Sequence, residues 1–174
     1  MATVESGWPR SAFWYSAMED ENRPSLRYES PAALCESSYL REGRFSSSIA
    51  EYQKALLDNP DSTVATAVYF NLAIAYYSEK NIQGAVNALE KLVVLKPQDV
   101  EAQYNLGCLK LYRRDLKEST ACFNKASCCC NPDSPFFSPV HQGLALAQVL
   151  QTADPNTQNL IFLLLEKGML SRNP

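Results

Sequence analysis

The stretch Tyr69-Phe70-Asn71-Leu72-Ala73 returns 34 residues later as Gln103-Tyr104-Asn105-Leu106-Gly107. The same offset pairs Ala85 with Ser119 and Leu89 with Phe123. Upstream, Tyr39 pairs with Tyr76, Tyr52 with Leu89 and Pro60 with Pro97, each 37 residues apart. The three additional residues fit the polar stretch Asp61-Ser62-Thr63 as a loop insertion. Self-similarity at such a period marks stacked units, each covering an apolar face that its neighbour cannot bury alone. Three units emerge: 29–62, 66–99 and 100–133.

Each unit reads as two helices joined by a short turn. In the middle one, Tyr69, Leu72, Ala73, Tyr76 and Tyr77 fall on one helical face. Ser78-Glu79-Lys80-Asn81 is polar enough to turn the chain, and Ile82, Ala85, Val86, Leu89, Leu92 and Val93 mark a second amphipathic helix. Pro97 closes it, because proline cannot continue a helix and disfavours helical geometry at Lys96. The first unit turns at Gly43 and stops at Asn59-Pro60; the third turns near Arg113 to Asp115 and stops at Asn131-Pro132. Small residues Ser48, Ala85 and Ser119 share one position, where helices must approach closely. The larger Tyr52, Leu89 and Phe123 share another, where a side chain fills the gap between helices.

This pattern resembles the tetratricopeptide repeat, a 34-residue helix pair with an aromatic–Leu–Gly–Tyr first helix and an Ala–Phe–Ala–Pro second. The second unit fits through Tyr69, Leu72, Ala73, Tyr76, Ala85, Leu89 and Pro97. The third keeps Leu106, Gly107, Ser119, Phe123 and Ala126. It departs at Gln103 and Lys110, where the family prefers aromatics, and Pro132 falls one place late. The first keeps Tyr39, Gly43, Tyr52, Ala55 and Pro60 but has Cys35-Glu36 in place of Leu-Gly. The resemblance implies an all-α, right-handed helical solenoid of three repeats, with a concave wall built from the first helix of each pair. It also implies a non-enzymatic adaptor or scaffold that takes a partner peptide in that groove, within a larger complex.

By position in the unit, the groove would present Ala33, Ser37, Leu40 and Arg41 from the first repeat. The second would offer Phe70, Asn71, Ile74 and Tyr77, and the third Glu101, Tyr104, Asn105, Cys108 and Tyr112. Asn71 and Asn105 could pair with a peptide backbone, since each carries an amide donor and acceptor. The aromatics offer apolar area at low rotamer cost, or serve simply as inter-repeat packing. Family members that clamp chaperone C-termini use Lys and Asn in the first repeat, Asn in the second, Lys and Arg in the third. Only Asn71 matches here, and Glu101 would repel a carboxylate, so that ligand is not expected.

The ends are less regular. Residues 1–28 hold Trp8, Phe13, Trp14 and Tyr15 among polar residues and read as a partly disordered lead, a capping helix, or an aromatic anchor for a partner. Residues 134–174 read as an atypical helix pair, Val140 to Leu150 and Thr157 to Met169, around Asp154-Pro155. Its second helix is apolar all round through Leu160-Ile161-Phe162-Leu163-Leu164-Leu165, whereas a terminal repeat needs a polar outer face. Three readings stand: the helix folds back on its own third repeat; Leu160, Phe162, Leu163 and Leu164 dock a regulatory subunit into an assembly; or the chain stops where a longer array would continue.

Composition narrows the chemistry. The chain has 174 residues, 46% hydrophobic and 20% charged, as expected of one folded domain. Its formal charge is −3 with one Arg pair, Arg113-Arg114, which argues against nucleic acid as a partner. No secretory signal or apolar span of roughly 20 residues is visible, so a soluble, cytoplasmic protein is expected, the nucleus remaining open. Its six cysteines are then reduced thiols. Cys128-Cys129-Cys130 reads as small buried thiols, or as a palmitoylation cluster that would tether the adaptor to a membrane; adjacent residues diverge too far for a metal set. His141 is the single histidine and has no visible acid or nucleophile partner in the sequence, so neither catalysis nor a metal or other cofactor is expected.

Overall fold

In the computed structural model, residues 45–58 and 62–166 are described. They form seven helices and no strand: α1 (Phe45–Asp58), α2 (Ser62–Ser78), α3 (Ile82–Leu95), α4 (Val100–Tyr112), α5 (Leu116–Cys129), α6 (Phe137–Thr152) and α7 (Pro155–Glu166). Each helix packs on the next in chain order, and α4 also reaches α6. The all-helical architecture is the one the periodicity requires. The first helix of the first unit, the lead 1–28 and residues 167–174 lie outside the described residues.

The turns within the second and third units are the same device, 34 residues apart. Asn81 N–H donates to the Tyr76 carbonyl and Lys80 N–H to Tyr77, both at 2.8 Å; Asp115 and Arg114 repeat this on Lys110 and Leu111 at 2.9 Å. The paired bonds form a Schellman close, which needs a left-handed residue. Lys80 (φ 61°) and Arg114 (φ 65°) take that conformation where a glycine is usual. Asn81 then caps α3, its Oδ1 accepting from Gly84 N–H at 2.9 Å, and Asp99 caps α4 by accepting from Ala102 N–H at 3.1 Å. Asn81→Ala should cost about 1 kcal/mol, measured as a lower midpoint in urea unfolding with an unchanged slope.

The small and large repeat positions both lie at full burial. Ser48, Ala85 and Ser119 are 0% exposed, as are Tyr52, Leu89 and Phe123. Ser119 adds a bond to the close approach: its hydroxyl donates to the Gly107 carbonyl at 2.7 Å. Two cores result. One joins α1, α2 and α3 to Leu106 and Leu109 of α4; the other joins Tyr104, Cys108 and Leu111 of α4 to α5, α6 and α7. Helix α4 is the wall between them, which is why every residue from Ala102 to Leu111 is buried.

The terminal pair differs from expectation at its boundaries. Helix α7 begins at Pro155, two residues before Thr157, because proline needs no N–H partner in a first turn. Asp154 caps it, its Oδ1 accepting from the N–H groups of Asn156 and Thr157 at 3.0 and 3.1 Å. The hydrogen bonds from Thr157 hold the Asp154 carboxyl below the usual range. The inner face of α7 folds back on its own chain, with Phe162 2% and Leu165 5% exposed. Arg114 stacks its guanidinium 4.5 Å from the Phe162 ring centroid and donates to Asn159 Oδ1 at 2.8 Å.

Candidate peptide-binding groove

The first helices of the second and third units are α2 and α4, and both pack on α3. Along α4, Glu101, Asn105, Cys108 and Tyr112 succeed one another at helical spacing and form one stripe. Its ends meet solvent and its middle does not: Glu101 is half-buried and Tyr112 46% exposed, while Asn105 is 2% and Cys108 6% exposed. On α2, Phe70 and Tyr77 are half-buried, and Asn71 and Ile74 are 7% and 9% exposed. Arg41, with Ala33, Ser37 and Leu40, lies outside the described residues.

Two expected groove residues are core residues instead. Tyr104 packs its ring 5.9 Å from Phe123 and 5.9 Å from Phe136, and Cys108 sits one turn further on in the same core. Burial pushes both the Tyr104 phenol and the Cys108 thiol up from their ordinary ranges, so both stay protonated. Position in the unit could not reveal this. What turns them inward is the terminal pair, whose Phe136 covers the ring. Ile74 likewise belongs to the first core.

Asn105 is unusual: its Oδ1, like the Oε1 of Gln103, is buried and accepts no hydrogen bond among the described residues. A buried carbonyl left without a donor costs about 1–3 kcal/mol, an expense that packing alone would avoid with leucine. Gln103, one of the departures from the family pattern, is also buried; its Nε2 donates to the Pro97 carbonyl at 3.1 Å and ties α4 to the preceding loop.

The other departure, Lys110, was not legible as a site. Its ammonium lies 2.6 Å from Glu90 Oε1 on α3 and 2.6 Å from Glu118 Oε2 on α5. Burial lowers the affinity of this amine for its proton, but hydrogen bonds to Glu118 and Glu90 outweigh that and raise it. Hydrogen bonding and attraction from Lys110 lower Glu118 in turn. The network joins three helices electrostatically at a place where the family packs an aromatic.

His141 has a partner that its sequence surroundings did not show. Its Nε2 lies 3.2 Å from Ser127 Oγ and its Nδ1 2.7 Å from the Phe137 carbonyl. A carbonyl can only accept, so Nδ1 carries a proton in this pairing. Both residues stand on the surface where α5 meets α6, and the pair pins these helices together. Among the described residues, no group of three or more His, Cys, Asp or Glu could hold a metal ion, and no helix is long and apolar enough to cross a membrane.

The expected C-terminal docking set is divided by the fold. Phe162 is withdrawn into the second core, Leu164 is half-buried, and Leu160 and Leu163 remain 55% and 44% exposed. Of the cysteine cluster, expected mainly as buried thiols, Cys128 and Cys129 are exposed and Cys130 is half-buried.

Consecutive helix pairs with matched closes, small contact positions and shared plugs define a helical-repeat protein. Residues 39–107 match the sequence model of the tetratricopeptide repeat. Repeats of this kind generally mediate contacts between proteins. No curated protein is significantly similar to the chain in sequence.

Proposed function

We propose that the protein is a cytoplasmic, non-catalytic adaptor that binds an extended segment of a partner protein along α2 and α4. Phe70, Tyr77 and Tyr112 supply accessible aromatic area, and Asn105, with Asn71, supplies amide groups for the partner's backbone. The observation that carries the reading is the set of part-exposed aromatic side chains, Phe70 and Tyr77 on α2 and Tyr112 on α4; the unpartnered Asn105 Oδ1 is reached only when the buried middle of the stripe opens to the partner. An apolar site with a few placed polar groups is the usual form of a recognition surface. No cofactor, metal or nucleic acid enters this reading.

Asn105→Leu separates binding from folding. It keeps the side-chain size and removes the orphaned group, so thermal stability should stay level or rise by about 1 kcal/mol while capture of partners from lysate falls at least about tenfold. An Asn105→Leu, Asn71→Ala protein that is folded and retains every partner would sink the proposal. A second reading rests on Leu160 and Leu163, whose exposure on α7 gives a small apolar face for docking the chain into an assembly. Leu163→Asp would then abolish the association without changing capture by the groove.

A further inference from the structure

The second helices of the three units carry a coincidence that the groove does not use. Lys54, Lys91 and Lys125 occupy one repeat position on α1, α3 and α5, at the same 37- and 34-residue offsets. Three residues on, and so on the same helical face, stand Leu57, Val94 and Cys128. All six are exposed, Leu57 at 84% and Val94 at 77%; Leu95, at 43%, and the Cys129 thiol adjoin the row. A repeat array buries apolar residues at its contact positions, so apolar residues exposed in register in three successive units are not packing residues.

Charge on these helices is also sorted. Lys110 engages Glu90 of α3 and Glu118 of α5, both at 2.6 Å. That leaves Glu51 as the other carboxylate among the described side chains of α1, α3 and α5. Glu51 stands one turn before Lys54 on the same face, and the Lys91 ammonium lies 5.5 Å from the Tyr69 ring centroid; beyond these the row presents amines beside aliphatic groups and free thiols. Lysines attract anionic headgroups, and apolar side chains one turn away enter the boundary between headgroup and acyl chain.

We propose that this face lies on an anionic membrane surface and that Cys128 and Cys129 are its S-acylation sites. A cysteine thiolate attacks the carbonyl carbon of a long-chain acyl-coenzyme A. The new carbon–sulfur bond makes a thioester on the protein, the bond to the coenzyme's sulfur breaks, and the coenzyme leaves as its thiol with the proton; nothing is oxidised or reduced. One acyl chain alone holds a protein only reversibly, so the lysine and aliphatic row supplies the second signal that stable anchoring needs. The proposal is independent of the groove, which uses the first helices α2 and α4.

The test uses the full chain recovered from eukaryotic cells. Mass spectrometry should find a hydroxylamine-labile acyl group on Cys128 or Cys129. The acylated protein should sediment with phosphatidylcholine vesicles containing about 30% phosphatidylserine, and less with phosphatidylcholine alone. Leu57→Gln with Val94→Gln, both at surface positions where folding is insensitive, should weaken this sedimentation about tenfold at equal acylation. Absence of the acyl group from both cysteines overturns the proposal. So does vesicle binding that ignores the Leu57 and Val94 substitutions, or a row that retains a protein partner and no vesicles. Loss of partner capture on Asn105→Leu with vesicle binding intact keeps the two proposals apart.

Discussion

Replacing Phe123 by alanine is expected to lower the stability of the protein by about 3–5 kcal/mol. The ring is 0% exposed and stands where three helices meet. It is close to the backbone of Gly107 on α4 and Gly143 on α6, and its centroid is 5.9 Å from that of Tyr104. Truncation leaves a void whose walls are helix backbones, and these cannot collapse inward as side chains do. Against a typical total of about 5–15 kcal/mol, that loss is a large fraction. It should lower the midpoint of thermal unfolding by roughly 6–20 °C. Because Phe123 joins the third unit to the terminal pair, hydrogen exchange should accelerate first in α6 and α7. A midpoint within about 2 °C of the parent would show that the ring is not the plug described.

The second large effect concerns the other side of the same contact, and its sign is the test. Glycine in the interior of a helix costs about 1 kcal/mol relative to alanine, so Gly143→Ala at an ordinary position of α6 would stabilise. Here a Cβ at residue 143 would stand 2.8 Å from Cε1 and Cζ of Phe123. The ring has little room to retreat, since the Gly107 backbone is also close, where a Cβ would stand 3.0 Å from Cδ1 and Cε1 of the same ring. Overpacking of this kind costs about 1–3 kcal/mol, enough to offset the helix gain and reverse the sign. Gly143→Ala should therefore destabilise. Combined with Phe123→Leu, a smaller side chain, it should cost less than the sum of the two single changes. Additive losses in a denaturant-unfolding cycle would remove the steric explanation.

Gly143 also marks a limit of reading by repeats. Gly107 fits the repeat pattern directly, whereas Gly143 lies in the atypical pair and has no offset of 34 or 37 residues to identify it. Its role follows only from where α6 passes over Phe123. Lys110 is similar. As a departure from an aromatic position it draws notice, but Glu90 and Glu118 lie on different helices and become its partners only once the three helices stack. The apolar run of α7 suggested a docking helix or a helix folded back. The structure divides the two by face: Phe162 and Leu165 turn inward, while Leu160 and Leu163 turn out.

The candidate site was legible in outline and altered in detail. The first helices and the two asparagines come from repeat position. Tyr104 and Cys108, one turn apart on α4, were expected in the groove by repeat position, yet they are buried in the core that α4 shares with α5, α6 and α7.

What the sequence by itself determined is local and periodic: helices, their turns, and which positions must be small or large. Those follow from spacing along one chain, because an amphipathic helix pair records in every repeat the neighbour that it needs. Tertiary structure alone decided that α4 would be a wall between two cores, that Lys110 would find two carboxylates, and that Asn105 would keep an unanswered carbonyl. Each depends on surfaces contributed by elements distant in the chain, and no periodicity encodes which side chains meet when those surfaces close.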